Sequence, residues 1–269
     1  MLRQLLFFVS TASGDLYHSV INAQHRGELV GLCNHLGLTN IAAEIGVFRG
    51  GFSRHNLVHW KGKKYFMIDA WDFRYNDTLE AGGEPSSDKN TNISRYNDRN
   101  YNLALAAVEE WRPPKGDRAV VMRRFSESVA QEFPNNHFDF IYIDAGHEYR
   151  NVLRDARMWW PKLKSGGMLA GDDFADMTDT LPKLNIHSGA GFGVKSAVAK
   201  FAREVGSPFF LTFADHDHNP TEYNPRSGSE FARERHDPST KSLPNLKELP
   251  PPEDRVRSQR FYPAWYMFK

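Results

Sequence analysis

The sequence predicts an α/β protein built on a mostly parallel, doubly wound sheet, and three observations carry that expectation. Strand-like and helix-like segments alternate along the chain, as a parallel sheet with crossover helices requires. The strand candidates are nearly continuous apolar runs, such as residues 140–143, which suits strands covered on both faces. Acidic residues, namely Glu44, Asp69, Asp144, Asp172 and Asp173, stand at or near the carboxyl ends of those strands, where such sheets bind ligands.

The elements follow in order. Residues 15–36 carry Leu16, Val20, Ile21, Leu29 and Leu32 at helical spacing and predict one or two helices ahead of the sheet. "NIAAEIGVF" predicts a first strand running into a glycine turn, and "KKYFMIDAW" a second ending at Asp69. Residues 74–100 are polar and rich in turn formers, so they predict a long loop; a helix at 101–111 follows, stopped by Pro113 and Pro114. "RAVVMRRF" is a third strand and "SESVAQEF" a short helix with Ser126 as its N-cap. "FDFIYIDAGHEY" is a fourth strand that ends in Asp144, with His147 three residues on. "YRNVLRDARMWWPKL" predicts a helix, "GGMLAGDDF" a fifth strand, "VKSAVAKFAREVG" a helix with a terminal glycine, and "PFFLTFAD" and "AWYMFK" two final strands. Pro, Ser and charge between the last two predict an irregular excursion over residues 216–260. The expected organisation is a helical segment over residues 1–39, serving as a substrate lid or as packing, and one domain over 40–269.

Composition removes several classes. A formal net charge of +1 gives no basic field, so nucleic acid is not an expected partner. The single cysteine, Cys33, forms no internal disulfide and points to a reducing, cytoplasmic setting. No apolar run reaches the roughly 18 residues of a membrane span. The apolar core at residues 5–9 is shorter than the roughly 7 residues of a signal peptide, so no membrane role is expected. The excursion at 216–260 is a candidate for contacts within a homo-oligomer, and His216 and His218 in it read as a solvated loop.

"AEIGVFRGG" places Glu44, Gly46 and Gly50 in an E-x-G-x-x-x-G arrangement after the first strand. Glycines there permit positive φ and a close approach of ligand to backbone. Neither G-x-G-x-x-G nor G-K-[ST] is present, which weakens the dinucleotide and P-loop readings. With Asp69, which can accept hydrogen bonds from a ribose diol, residues 40–204 resemble class I S-adenosylmethionine-dependent methyltransferases. The resemblance implies a Rossmann-like, seven-stranded sheet, mostly parallel with a terminal antiparallel hairpin and helices on both faces. It also implies S-adenosyl-L-methionine as methyl donor. Glu44, Gly46 and Gly50 would then flank its methionine portion, Asp69 would hold the ribose, and Trp71 with the "RFSE" residues Phe125 and Ser126 would border the adenine.

"IDAGHEY" followed by "LKSGGMLAGDDF" looks more specifically like the macrocin O-methyltransferase type, whose relatives methylate sugar hydroxyls, and more distantly like catechol O-methyltransferases. That likeness implies a divalent cation, Mg²⁺ or another, on Asp144, Asp172 and Asp173, with Asp144 also beside the donor. Oxygen-only ligation agrees with Mg²⁺. Both Asp172 and Asp173 serve only if the strand breaks its alternation there. The family's catechol members carry Lys where His147 stands and Asn where Asp173 stands, which turns the expectation from catechols toward other small hydroxylated acceptors. His147 is the expected general base, since a cation-bound hydroxyl is acidified enough for imidazole to take its proton. The rivals are a metal-independent methyltransferase on a small amine or hydroxyl, and a binding module that keeps the fold without the chemistry.

Overall fold

A computed structural model of the chain describes residues 23, 25–72, 89–176, 180–181, 186–187, 192–212 and 263–269. After a 3₁₀ turn at Arg26–Glu28, the elements are α1 (Leu29–His35), β1 (Ile41–Ile45), α2 (Gly51–His59), β2 (Lys64–Asp69) and α3 (Lys89–Ala107). Then come β3 (Ala119–Arg123), α4 (Ser126–Ala130), β4 (Phe138–Ile143), α5 (Tyr149–Trp159) and β5 (Leu163–Gly171). A two-residue ribbon, β6 (Thr180–Leu181) with β7 (Ile186–His187), precedes α6 (Val194–Val205), β8 (Phe209–Leu211) and β9 (Trp265–Phe268).

Seven strands form one sheet in the order β3-β2-β1-β4-β5-β9-β8. The pairs from β3 through β5 are parallel, whereas β9 runs antiparallel to both β5 and β8. This is the Rossmann-like sheet expected from the sequence, including the antiparallel pair at its end. The apolar runs serve two cores at once. In β4, Phe140 and Tyr142 join Leu29, Phe52, Leu57 and Trp71 on one face. Phe138, Ile141 and Ile143 join Val152, Trp159, Val198 and Phe201 on the other. All six residues of β4 are buried, which is why its sequence does not alternate.

Two local expectations are corrected. The polar stretch up to Asn100 is not loop throughout: α3 begins at Lys89 and runs on to Ala107. Its inward positions include Asn97, Asn100 and Ala104, followed by Val108 just past its end, so the first half of the buried stripe is amide rather than hydrocarbon. An apolar periodicity cannot register such a helix. The Ser126 hydroxyl does not cap α4; Phe125 occupies the N-cap position, and Ser126 Oγ points toward Trp159 and Asp155. The helix α2 was not anticipated either, because its buried face includes Ser53, His55 and Asn56. Of the helical segment expected over residues 1–39 as lid or packing, α1 packs into the core through Leu29, Val30, Leu32 and Cys33, while residues 1–22 and the excursion expected at 216–260 lie outside the described residues.

Candidate functional site

Strand order reverses between β1 and β4, and the crevice beyond their carboxyl ends is where such a sheet takes ligand. The two strand ends are laced together. The Asp144 amide donates to Ile45 O at 2.7 Å, and the Gly46 amide to Ile68 O at 2.9 Å. Gly46 has φ +88°, and a Cβ there would lie 1.9 Å from the Asp144 carbonyl oxygen, so only glycine lets this turn cross the end of β4. Gly50, at φ +76°, is the N-cap of α2, and a Cβ on it would press to 3.0 Å from Ala104 in α3. The two glycines therefore permit close contact with protein backbone, of β4 and of α3.

Glu44 sits beneath this turn with its carboxyl in the core. Ser53 Oγ and Tyr65 OH both donate to its Oε2, at 2.7 and 2.8 Å. Burial raises its pKa to about 8, against the lowering effect of those two hydroxyls, so the group is protonated at neutral pH. Its place is under the loop as a neutral brace.

Asp69 closes the loop from the other side. Its Oδ2 accepts the amides of Val47 and Phe48, both at 2.9 Å, and its Oδ1 accepts that of Trp71 at 2.7 Å. A carboxylate offers about four lone-pair sites, so room for one ribose hydroxyl remains rather than for the two expected. Burial pushes its pKa up despite the amides.

Trp71 differs in placement from the sequence expectation. Its ring is 1% exposed, its Nε1–H donates to Phe48 O at 2.7 Å, and Tyr101 stands edge-on to it. It props the turn from within. Phe125 is the opposite case, an aromatic ring 54% exposed beyond the end of β3, and offers a face on which an adenine can stack. Ser126 accepts from Trp159 Nε1 at 2.8 Å and so is tied to the core.

The chemical end of the crevice holds three carboxyls and an imidazole from beyond the ends of β4 and β5, joined by the Arg26 guanidinium. Strand β5 ends at Gly171, and Asp173 takes a left-handed φ of +52°, so the alternation does break. The two aspartates consequently diverge. Asp172 is buried and ion-paired with Arg26 Nη1, which also lies 3.4 Å from Asp144 Oδ2. Asp173 Oδ2 instead stands 3.2 Å from His147 Nε2, and Asp144 Oδ1 is 3.5 Å from the same nitrogen. One ligand atom each from Asp144, His147 and Asp173 falls within 4.8 Å of the others, a spacing that a single divalent cation can bridge. The residues on the page thus fit such an ion, although the set includes His147 where the sequence implied Asp172.

His147 is held from behind by Phe192, whose ring stacks on it at 4.9 Å and 13°, and by the Gly193 amide on its carbonyl at 2.9 Å. Burial pulls its pKa down, but the hydrogen bond it donates to Asp144 and the charges of Asp173, Asp144 and Asp172 outweigh that and bring it to about 9. The same two carboxylates that face Nε2 thus favour its protonated form. Arg26, Ser53 and Tyr65 escaped the sequence reading. Arg26 is separated from Asp144 and Asp172 by 118 and 146 residues, and no motif spacing spans such distances.

Residues 43–174, just under half of the chain and the whole run from Glu44 to Asp173, match the family described as methyltransferase domain. An uncharacterized protein of Acanthamoeba polyphaga mimivirus is 26% identical over 133 residues, covering 49% of this chain. The chain spans about half the length, 51%, of that curated relative. Among solved structures, an O-methyltransferase from Bacillus cereus in complex with SAH is 13% identical at TM-score 0.48, with 99% of this chain and 96% of that one covered. The Burkholderia thailandensis 1,6-didemethyltoxoflavin-N1-methyltransferase is 12% identical at TM-score 0.46, covering 100% of this chain and 87% of that one. The strand order and the antiparallel terminal pair are those of a Rossmann-like, seven-stranded sheet, and the segment that matches the methyltransferase domain carries its switch point and the glycine turn.

Proposed function

We propose that the protein is an S-adenosylmethionine-dependent, divalent-metal-assisted O-methyltransferase acting on a hydroxyl of a small molecule. A sugar or glycoside is the acceptor class that the macrocin-type resemblance implies. One observation carries the reading: Asp144, His147 and Asp173 converge at the crevice of the sheet, beside the glycine turn that a methyl donor would occupy.

In this reading the 46–50 turn and Asp69 fix the donor, with Phe125 as the platform for its adenine. Asp144 and Asp173 hold the cation beside the acceptor. When bound, the cation acidifies the acceptor hydroxyl and offsets the charge that develops on its oxygen. The chain's own part is positioning: the strand ends set the acceptor oxygen in line with the sulfonium methyl, and methyl transfer follows by direct displacement. His147, with Nε2 facing Asp144 and Asp173, would stand beside the acceptor hydroxyl as its base.

One observation favours a metal-independent enzyme instead, namely that Arg26 already places a positive charge against Asp172 and Asp144. The deciding experiment is transfer of a labelled methyl group to sugar, phenol and amine acceptors, with and without chelator. Label on a hydroxyl that disappears with chelator and returns with Mg²⁺ or Mn²⁺ supports the proposal. Undiminished transfer in excess chelator favours the metal-independent enzyme, and donor binding without any transfer favours a binding module.

A further inference from the structure

We infer that Phe192 is a positioning residue for His147, carried on a clasp at the start of α6 that joins the two loops of the site. This rests on the reading of His147 as the acceptor's base and names what holds its ring.

The two loops leave neighbouring strands. One follows β4 and carries Asp144 and His147; the other follows β5 and carries Asp172 and Asp173. Both lie past the sheet ladder, yet a working site needs its groups held to within about 0.5 Å. Residues 192–196 supply the hold. Phe192 bridges antiparallel to Glu148 and Gly193 to Asp176, so consecutive residues grip the two loops in turn. The Gly193 amide donates to His147 O at 2.9 Å, and the Lys195 amide to Ala175 O at 3.2 Å. The Asp176 carboxylate accepts the Ser196 amide at 3.0 Å and the Ser196 hydroxyl at 2.6 Å. Gly193 is the N-cap of α6, so the amides of Gly193, Lys195 and Ser196 are ones that the helix itself leaves without a partner. All three are spent on the two loops. Gly193 also allows the close approach, because a Cβ there would stand 2.7 Å from Tyr149 Cβ and 2.8 Å from its amide nitrogen.

The clasp sets the Phe192 ring against the imidazole. The two rings lie 4.9 Å apart at 13°, the offset parallel arrangement that aromatic pairs favour. With its carbonyl tied to Gly193 and one ring face covered by Phe192, His147 is kept with Nε2 toward Asp173 Oδ2 at 3.2 Å and Asp144 Oδ1 at 3.5 Å. Its side chain remains 31% exposed, so the stack orients the ring without closing it off. The nitrogen that serves the acceptor is therefore aimed by a residue 45 positions along the chain, through a ring that need not touch the acceptor itself.

The test is NMR of the full chain carrying ¹³C,¹⁵N-histidine, with S-adenosylhomocysteine present, alongside methyl-transfer rates; the resonance lost in His147→Gln identifies the residue. Wild type should show cross-relaxation between the two rings and His147 ring protons moved upfield by the current of the Phe192 ring. In Phe192→Leu the upfield shift should vanish and kcat fall roughly tenfold to a hundredfold, while donor affinity stays within about twofold. Phe192→Tyr, which keeps the ring, should retain both the shift and the rate. His147 resonances that are the same in wild type and Phe192→Leu overturn the inference, and so does a Phe192→Tyr loss as large as that of Phe192→Leu. A loss of donor affinity that matches the loss in kcat overturns it as well, since a merely structural residue would give that result. The wild-type spectrum decides the stack even where a variant fails to fold. If the wild type methylates nothing, the proposed activity falls, and the spectra alone decide whether Phe192 sets the His147 ring.

Discussion

Glu44 offers the sharpest test of the site's electrostatics, because its carboxyl is neutral in the fold and ionised in the unfolded chain. Its pKa is about 8 when folded against 4.5 as a free side chain. A raised pKa contributes stability that is fully present below pH 4.5 and is lost as pH rises toward 8. Holding the proton at pH 7 costs about 3 kcal/mol, and at pH 5 less than about 1 kcal/mol. Glu44→Gln is the clean perturbation. The amide oxygen can accept from Ser53 and Tyr65 as Oε2 does, and the amide never titrates. The variant should therefore match the wild type near pH 5 and exceed it by roughly 2–3 kcal/mol near pH 7. For a domain of this size that is about 5–10 °C in Tm, measured by thermal melts across the interval. Parallel melting curves for the two proteins from pH 5 to 8 would refute the neutral brace, and with it the idea that Glu44 adds no negative charge beside Asp144.

Three other outcomes are expected. S-adenosylhomocysteine should raise the Tm of the wild type by mass action, and Asp69→Ala should lose about 2 kcal/mol or more of stability even without ligand, since three loop amides lose their acceptor; calorimetry with and without ligand separates the two effects. Phe125→Ala should weaken donor binding with little change in Tm, whereas Trp71→Ala should cost about 3–5 kcal/mol of stability, as chemical denaturation will show. His147→Ala should lose roughly 10²-fold or more in turnover at every Mn²⁺ concentration; a loss that high Mn²⁺ repairs would make His147 a ligand of the cation rather than the base.

The sheet was legible because its signal is local. Six buried residues in a row at β4 and the "YFMID" run at β2 each declare a strand without reference to the rest of the chain. The helices that escaped, α2 and the first half of α3, bury Ser53, His55, Asn56, Asn97 and Asn100, whose partners lie elsewhere in the fold. Asn100 shows the reason: its Oδ1 accepts from Arg49 Nε at 2.9 Å, a contact across 51 residues. A polar side chain satisfied at such range looks like a loop residue when only its neighbours in sequence are visible.

The same limit acts on the site, with a chemical consequence. Five acidic residues at strand ends gave one undifferentiated signal, and the fold sorts them by the company it brings from a distance. Glu44 meets hydroxyls in a dry core and keeps its proton. Asp69 meets backbone amides and is committed to the loop. Asp172 meets Arg26 and is neutralised as an ion pair. Asp144 meets both Arg26 and His147, and Asp173 meets His147. Position along a strand therefore locates the crevice, but the partner that the fold brings to each carboxylate sets its surroundings. Arg26, which pairs with Asp172 and lies near Asp144, comes from the turn ahead of α1, outside the segment that matches the methyltransferase domain.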